Sequence, residues 1–515
     1  MSILPLQNLP RPLNFQPAQP IISNLCISAY ICTFILIGCM AASHQFLHWF
    51  VIPVFLCGVL VGSDAVSWFR GQIDIFDPVG ILGLLGFHFF FLAPLLHVYW
   101  DYWMAYVIPP YDWRDWLGAM AFLNILGLIV YRLSRDFWFR NQKKPLYQTI
   151  WQLDSQRFLP IVILTLIVTA GFQVWVYVRF GGIFGYIQTY TEQHVSESFQ
   201  GFGWVFMISE SFPILALMLF VIYGSRNKNY KSWIVITIVL LVFLIVRFLF
   251  GGLRGSRSNT VWGLFWAIGM IHFWIRPVSK KFIIIGCVFL VIFLYFYGFY
   301  KGAGLDGLTA LQSAEARLEL TQQTGRGLET ALLGDLARSD VQAFLLYRLS
   351  VSNDYEYALG RTYAGGISVL IPRSIWPDRP LTKIKEGTEA QYGGGSFVPG
   401  RWQSSRVYGL AGEAMLNFGP IAVPFVFLIW GIIVGYVQHL LINLNAPDVR
   451  FLLLPLLINL CFILLVGDSD NIVFFLIKNG VVPFLVLMLC SSKAPMTVLA
   501  EDYNNASDRL ARTPL

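Results

Sequence analysis

The sequence predicts an all-α polytopic membrane protein, with about twelve transmembrane helices and one large, partly helical loop on the non-cytoplasmic side. Three observations predict it. The 515 residues are 56% hydrophobic and 13% charged, against about 25% charged in soluble domains. Apolar runs long enough to span a bilayer, about 20 residues each, recur along the chain. One polar stretch, 301–410, interrupts them and holds twelve Lys/Arg.

Nine spans are expected before that stretch, near 22–42, 49–69, 79–100, 115–133, 158–180, 204–223, 232–250, 258–275 and 281–300. Three follow, near 414–442, 451–467 and 472–490. The chain thus divides into an N-terminal bundle (1–300), the large loop (301–410), C-terminal helices (411–491) and a tail (492–515) that reads as disordered. The longest span opens near Glu413, and its first turn has room to be re-entrant or interfacial. The first twenty residues are proline-rich and lack a signal-peptide layout, so the first span is expected to stay as an anchor.

Charge orients the set. Arg132, Arg135, Arg140, Lys143, Lys144 and Arg157 follow the fourth span; Arg226, Lys228 and Lys231 follow the sixth; Arg276, Lys280 and Lys281 follow the eighth. These are alternate loops, so they share the cytoplasmic side, and both termini are expected there. The long loop falls on the other side. Its twelve cations are tolerated because long loops escape the positive-inside rule. Trp100, Trp103, Trp113 and Trp116 bracket an outer loop and read as interface anchors. Glu315 to Tyr347 reads as helical, with Leu318, Leu332, Leu333 and Leu336 at helical spacing.

Composition excludes other classes. The net charge of +7 is split among loops, which argues against nucleic acid as a partner. The seven cysteines lie in or beside apolar spans, and no pair has zinc spacing. There is no His-Glu-x-x-His and no Walker motif.

Chemistry-bearing residues fall in three clusters. Arg247, Arg254 and Arg257 sit where the seventh span leaves the membrane and the eighth returns, around the turn residues Gly251, Gly252 and Gly255. Two arginines, a glycine turn and a helix start suit a pyrophosphate; snorkelling or phospholipid headgroup binding is the other reading. The second run is Gly360-Arg361-Thr-Tyr363, then Ile371-Pro372-Arg373-Ser-Ile-Trp376-Pro377-Asp378-Arg379-Pro380. Proline-stiffened arginines suit an anion and the tryptophan face suits a sugar, or the segment is a structural corner. The third is Gly400-Arg401-Trp402 through Arg406-Val-Tyr408 to Glu413. Glu413 is either a helix-start carboxylate serving the dipole or a desolvated general base. Asp468 and Asp470 read as a solvated outer turn. Asp74 and Asp77, before Pro78, read as helix caps. His88 and His97 read as packed histidines.

These runs, with the turn Gly-Gly-Leu-Arg254-Gly-Ser-Arg257 and the Gly412-Glu413 … Asn417-Phe-Gly run, resemble the Wzy-type O-antigen and oligosaccharide repeat-unit polymerases. The motifs cover about a fifth of the chain, and the layout of many spans with one large late loop matches as well. The chain departs from them at Arg379, where many relatives have Lys. The resemblance implies a GT-C-like membrane glycosyltransferase of the bacterial inner membrane with a periplasmic loop. It implies transfer of a growing glycan from undecaprenyl pyrophosphate to the non-reducing end of the next lipid-linked repeat unit, independently of metal or other cofactor. Its partners would be the undecaprenyl-pyrophosphate-linked oligosaccharide, the lipid bilayer, and the chain-length regulator and flippase of the same pathway. In that reading Glu413 is the base; Arg254 and Arg257 join it in catalysis; Arg247, Arg373, Arg379, Arg401 and Arg406 hold pyrophosphate; and Tyr363, Trp376, Trp402 and Tyr408 stack on sugar. An O-antigen-ligase-type transferase, a lipid-linked oligosaccharide transporter and a scaffold of the export machinery are the competing expectations.

Overall fold

The structure, a computed structural model, describes residues 21–104, 107–141, 149–191, 203–254, 257–303, 307, 313–324, 329–352, 354–372, 375–399, 401, 404, 406–444 and 448–495. Its first half is helical: α1 (Ile21–Ala42), α2 (Val51–Phe69), α3 (Pro78–Tyr99), α4 (Trp113–Asn141), α5 (Ser155–Arg179), α6 (Gly182–Thr191), α7 (Gly203–Ser209), α8 (Phe212–Gly224), α9 (Trp233–Leu249), α10 (Arg257–Trp274) and α11 (Lys280–Ala303). Asp77 caps α3, accepting from the Val79 amide at 2.9 Å, with Pro78 supplying the helix-ready φ of the first position. A π-turn, His88–Leu92, interrupts α3. His97 is fully buried and its Nδ1 lies 2.8 Å from the Tyr102 carbonyl, so it packs.

Among the described residues nine helices are long and apolar enough to cross a membrane. Three of the twelve expected spans are not among them: the seventh and eleventh are shorter apolar helices, Trp233–Leu249 and Leu454–Val466, and the eighth is α10, Arg257–Trp274. Peripheral α1, α5 and α11 leave most of their apolar surface uncovered, with Phe34, Ile167 and Ile285 exposed. Such faces suit lipid rather than water. Inside, α4 packs along a later helix, α17 (Val423–Asn443), as the most extensive helix pair. A Cβ at Gly431 would lie 2.1 Å from Ser134 Oγ, so the small residue permits this approach, and Tyr131 stacks on Trp430 beside it at 4.2 Å.

The polar stretch folds onto one end of the bundle through α12 (Ala314–Thr324), α13 (Ser339–Val351), α14 (Arg361–Ser368) and α15 (Lys383–Tyr392). The single helix expected over 315–347 is broken: a π-turn, Thr330–Asp335, lies between α12 and α13. Leu333 is buried while Leu318 and Leu336 are exposed, so the leucines do not share one face.

The expected span 414–442 is also two helices. Gly419, at φ 78, ends α16 (Gly409–Phe418), and Pro420 follows, so α17 starts afresh. The chain closes with α18 (Leu454–Val466) and α19 (Ser469–Leu489), the latter carrying a π-turn at Ile477–Val481. An antiparallel strand pair, β1 (Thr149–Leu153) with β2 (Ser491–Pro495), was not expected from an all-α reading. It ties the α4–α5 connection to the end of α19.

Contacts sort the connections into two ends. At the end opposite the polar stretch, Arg70 donates to Asn24, Lys280 to the Phe69 carbonyl, Arg276 to the Lys231 carbonyl and Arg450 to the Thr149 carbonyl. At the polar end Tyr297 and Tyr300 donate to the carbonyls of Gly252 and Leu253, and α13 packs against α4 and α16.

Candidate functional site

The polar end holds a buried carboxylate cluster built from three remote segments. Glu413 lies mid-way along α16, not at the start of a span, and is 3% exposed. Its Oε1 accepts from Thr362 Oγ1 at 2.8 Å and Ser469 Oγ at 2.5 Å; its Oε2 accepts from the Ser469 amide at 2.6 Å. Asn417, one turn along α16, donates to Thr362 Oγ1 at 2.7 Å and fixes it from behind. A Cβ at Gly366 would lie 2.6 Å from Ser469 Oγ, so only glycine lets α14 bring Thr362 this close to α19.

Asp468 is fully buried, which corrects the expectation of a solvated turn. Its Oδ1 accepts from the amides of Tyr408 at 2.9 Å and Gly409 at 2.7 Å, and so serves the positive start of α16. Lys383, at the start of α15, pairs with its Oδ2 and lies 3.2 Å from Asp470. A dry carboxylate needs this kind of partner, since an isolated buried charge is costly.

Burial pushes the Glu413 carboxyl up to about 7, and the Asp468 charge adds to the rise; the Ser469 and Thr362 bonds pull the other way. Burial also raises Asp468, opposed by Lys383. For Lys383, burial disfavours the charge, but Asp468 and Asp470 outweigh it and hold the ammonium above its usual value. The carboxyl is therefore poised between its two forms near neutral pH, as a general base requires.

The expected anion and sugar ligands separate. Arg379 donates to the Ser368 carbonyl at 2.7 Å and the Ile371 carbonyl at 2.9 Å, clasping the end of α14. Arg406 donates to Gln391 Oε1 at 3.2 Å, and Arg401 is exposed. Arg373 and Trp402 lie outside the described residues. Arg254 ends a 3-10 turn and Arg257 opens α10, but their side chains lie outside the described part. Trp376 is 42% exposed and keeps a face for a ligand. Tyr363 stacks on Phe418 with centroids 6.5 Å apart. Tyr408 is 4% exposed, so its ring packs the interior of the polar end instead of offering a sugar face.

Arg247 is also corrected. It is fully buried, and its guanidinium donates to the carbonyl of Glu210 at 2.6 Å, the carbonyl of Asn259 at 3.1 Å and Asn479 Oδ1 at 2.8 Å. Beside it Lys478 Nζ lies 2.5 Å from Glu210 Oε2, with both side chains buried. Glu210 sits in the break between α7 and α8, and Lys478 in the π-turn of α19. A helix break frees backbone carbonyls, and Arg247 satisfies the one at Glu210. Lone Glu and Lys inside apolar runs were the sequence signal for this cluster. A hydropathy window averages them away.

One grouping has the spacing of a metal site: His48 Nε2 lies 3.6 Å from Asp112 and 3.4 Å from Asp115. Arg114 engages both Asp112 oxygens at 2.9 Å, and Trp49 donates to Asp115. Those carboxylates are thus committed to protein donors. Comparison of the chain with protein-family models, with curated proteins and with solved structures gives no match.

Proposed function

We propose that the chain is a membrane polysaccharide polymerase that acts at its polar end, taken as periplasmic, on undecaprenyl-pyrophosphate-linked oligosaccharides. The observation that carries this reading is Glu413: a buried carboxyl held near 7, at the membrane-proximal junction of α14, α16 and α19, below an arginine-rich segment. The contacts at the two bundle ends support helices that alternate in direction across the bundle.

In the proposed step an acceptor sugar hydroxyl attacks the anomeric carbon of the donor glycan. The new C–O bond forms as the bond to pyrophosphate breaks, and undecaprenyl pyrophosphate leaves. The hydroxyl proton passes to Glu413. Three of the carboxylate's roughly four lone-pair sites are taken by Thr362 and Ser469, leaving one on Oε2. Arginines, with Arg254, Arg257 and Arg373 foremost, would neutralise the leaving pyrophosphate without a metal.

One observation favours a second reading, transport of the same lipid-linked glycan. Glu210, Arg247 and Lys478 are buried at helix breaks, as ion and substrate sites of transporters are. Turnover decides between them. Purified protein in detergent with EDTA is given a lipid-linked repeat unit, beside Arg254→Ala and Glu413→Gln. A ladder lost in both variants at normal folded yield supports the polymerase. Transfer only to a different acceptor means a ligase, and movement across vesicles without a ladder means a transporter.

A further inference from the structure

At the same end, a cleft of about 370 Å³ opens between the α3–α4 connection and the polar segment. Its walls are Ile108, Pro109 and Pro110 on one side, and Tyr347, Arg348, Gln391 and Tyr392 on the other. Ligand pockets run from about 300 to 1,000 Å³, and this one would otherwise hold about a dozen waters. Its polar groups are fixed in place. Arg348 donates through Nε to the Ala390 carbonyl at 3.1 Å, and Trp116 packs edge-on to Tyr347 at 5.2 Å. Trp116 thus props a cleft wall, where interface anchoring was expected.

Gln391 is the telling residue. Its Oε1 accepts from Ser404 Oγ at 2.8 Å and from Arg406 Nε at 3.2 Å. Arginine only donates, so the amide cannot be flipped. The amide nitrogen is then left as a buried donor with no acceptor. That nitrogen is shielded from solvent and does not face the cleft, so Gln391 serves the wall by holding Ser404 and Arg406 in place. Tyr392 beside it is 44% exposed.

We infer that this cleft binds the glycan of the lipid-linked oligosaccharide, with sugar rings on Tyr392 and Tyr347 and sugar hydroxyls on Arg348. The inference rests on the polymerase reading for its ligand. Tyrosine suits a sugar because it offers an apolar face to the C–H side of the ring and a polar edge to hydroxyls. The chain of contacts also fits. Helix α15 carries Gln391 at the cleft and Lys383 at the Asp468 pair, eight residues or about 12 Å apart. A glycan in the cleft thus lies within a few sugar lengths of Glu413, as an acceptor or growing chain would.

The test uses two probes in parallel: the lipid-linked oligosaccharide extracted from cells that make the protein, and the water-soluble glycan released from it by mild acid. Calorimetry of full-length protein in detergent reads binding of the released glycan, and the gel assay reads turnover. Tyr392→Ala is expected to weaken glycan binding about tenfold and raise KM by a similar factor, with kcat within about twofold; Tyr392→Phe keeps both. Both variants must elute and melt like wild type. Equal binding by wild type and Tyr392→Ala, or no binding by wild type, overturns the cleft. Binding that depends on Tyr392 without any ladder keeps the cleft and removes the polymerase reading. A ladder with an unaffected Tyr392→Ala variant does the reverse.

Discussion

Helix α19 carries two buried charge clusters that answer to different things. At its first residues, Asp468 and Ser469 meet Lys383, Thr362 and Glu413 from the polar end. Nine residues further, about 13 Å along the helix, Lys478 and Asn479 meet Glu210 and Arg247. In the upper cluster carboxylates accept from hydroxyls and amides, and half-buried Ser469 and Asp470 form an edge toward solvent. In the lower one, Arg247 binds the Glu210 carbonyl at the α7–α8 break and the Asn259 carbonyl of α10, Lys478 pairs with the Glu210 carboxylate, and the charged groups are dry. The same charge types therefore sit in two settings: in the upper cluster a carboxyl is pushed up to about 7 by burial, and in the lower one the charges are tied to interrupted helices. A carboxyl near 7 suits chemistry, whereas a saturated network suits rigidity.

Lys478→Met should break the contrast most forcefully. It leaves Glu210 as a buried carboxylate without its closest cation, so unfolding in detergent should come about 3–5 kcal/mol sooner. The double variant Lys478→Met/Glu210→Gln should recover part of that loss. A fall in turnover at unchanged stability would instead make the lower cluster functional and favour transport.

Glu413→Gln should show the opposite profile: turnover down by about 10²- to 10⁴-fold, with stability below pH 4.5 changed by about 1 kcal/mol or less. Wild-type turnover should rise with pH through about 7, because the base works deprotonated, and the variant should lose that inflection. Stability carries the matching sign. The folded-state value lies above the ordinary 4.5, so the favourable contribution is present below pH 4.5 and is lost as pH rises to about 7. Thermal melts across that window should slope downward in wild type and flatten in Glu413→Gln. A retained inflection would assign the titration to another group.

Smaller effects sharpen the edges of the upper cluster. Arg379→Lys replaces a two-carbonyl clasp by a point charge and should cost about 1–2 kcal/mol. Hydrogen exchange should then rise at the end of α14. Arg401→Ala, at an exposed loop position, should shift stability by about 0.5 kcal/mol or less. Its turnover reports directly on pyrophosphate contact.

Much of the fold was legible in the sequence because apolar length and loop charge are local properties. Hydropathy located most of the long helices within a few residues, α4 and α17 excepted, and Asp77-Pro78 announced the start of α3. The arginine-rich stretch and Glu413 stood out because their residue types are conspicuous beside apolar spans. Less legible were elements that depend on partners. The strand pair joins Thr149–Leu153 to Ser491–Pro495 across most of the chain, and neither segment reads as a strand alone. The break at Gly419 was hidden by the apolar residues on both sides.

By itself, then, the sequence determined the membrane class, the position of the helices and the polar segment, since each follows from composition over about 20 residues. Only the tertiary structure decided what the individual charges do. Asp468 reads as a turn residue until Lys383 and the start of α16 close over it, and Tyr408 reads as a sugar face until it is buried. Glu210 and Lys478 are single interruptions in apolar runs until a fold places them 2.5 Å apart. The physical reason is that a charge's energy is set by its solvation and its nearest counter-charge, and both are supplied by residues tens to hundreds of positions away.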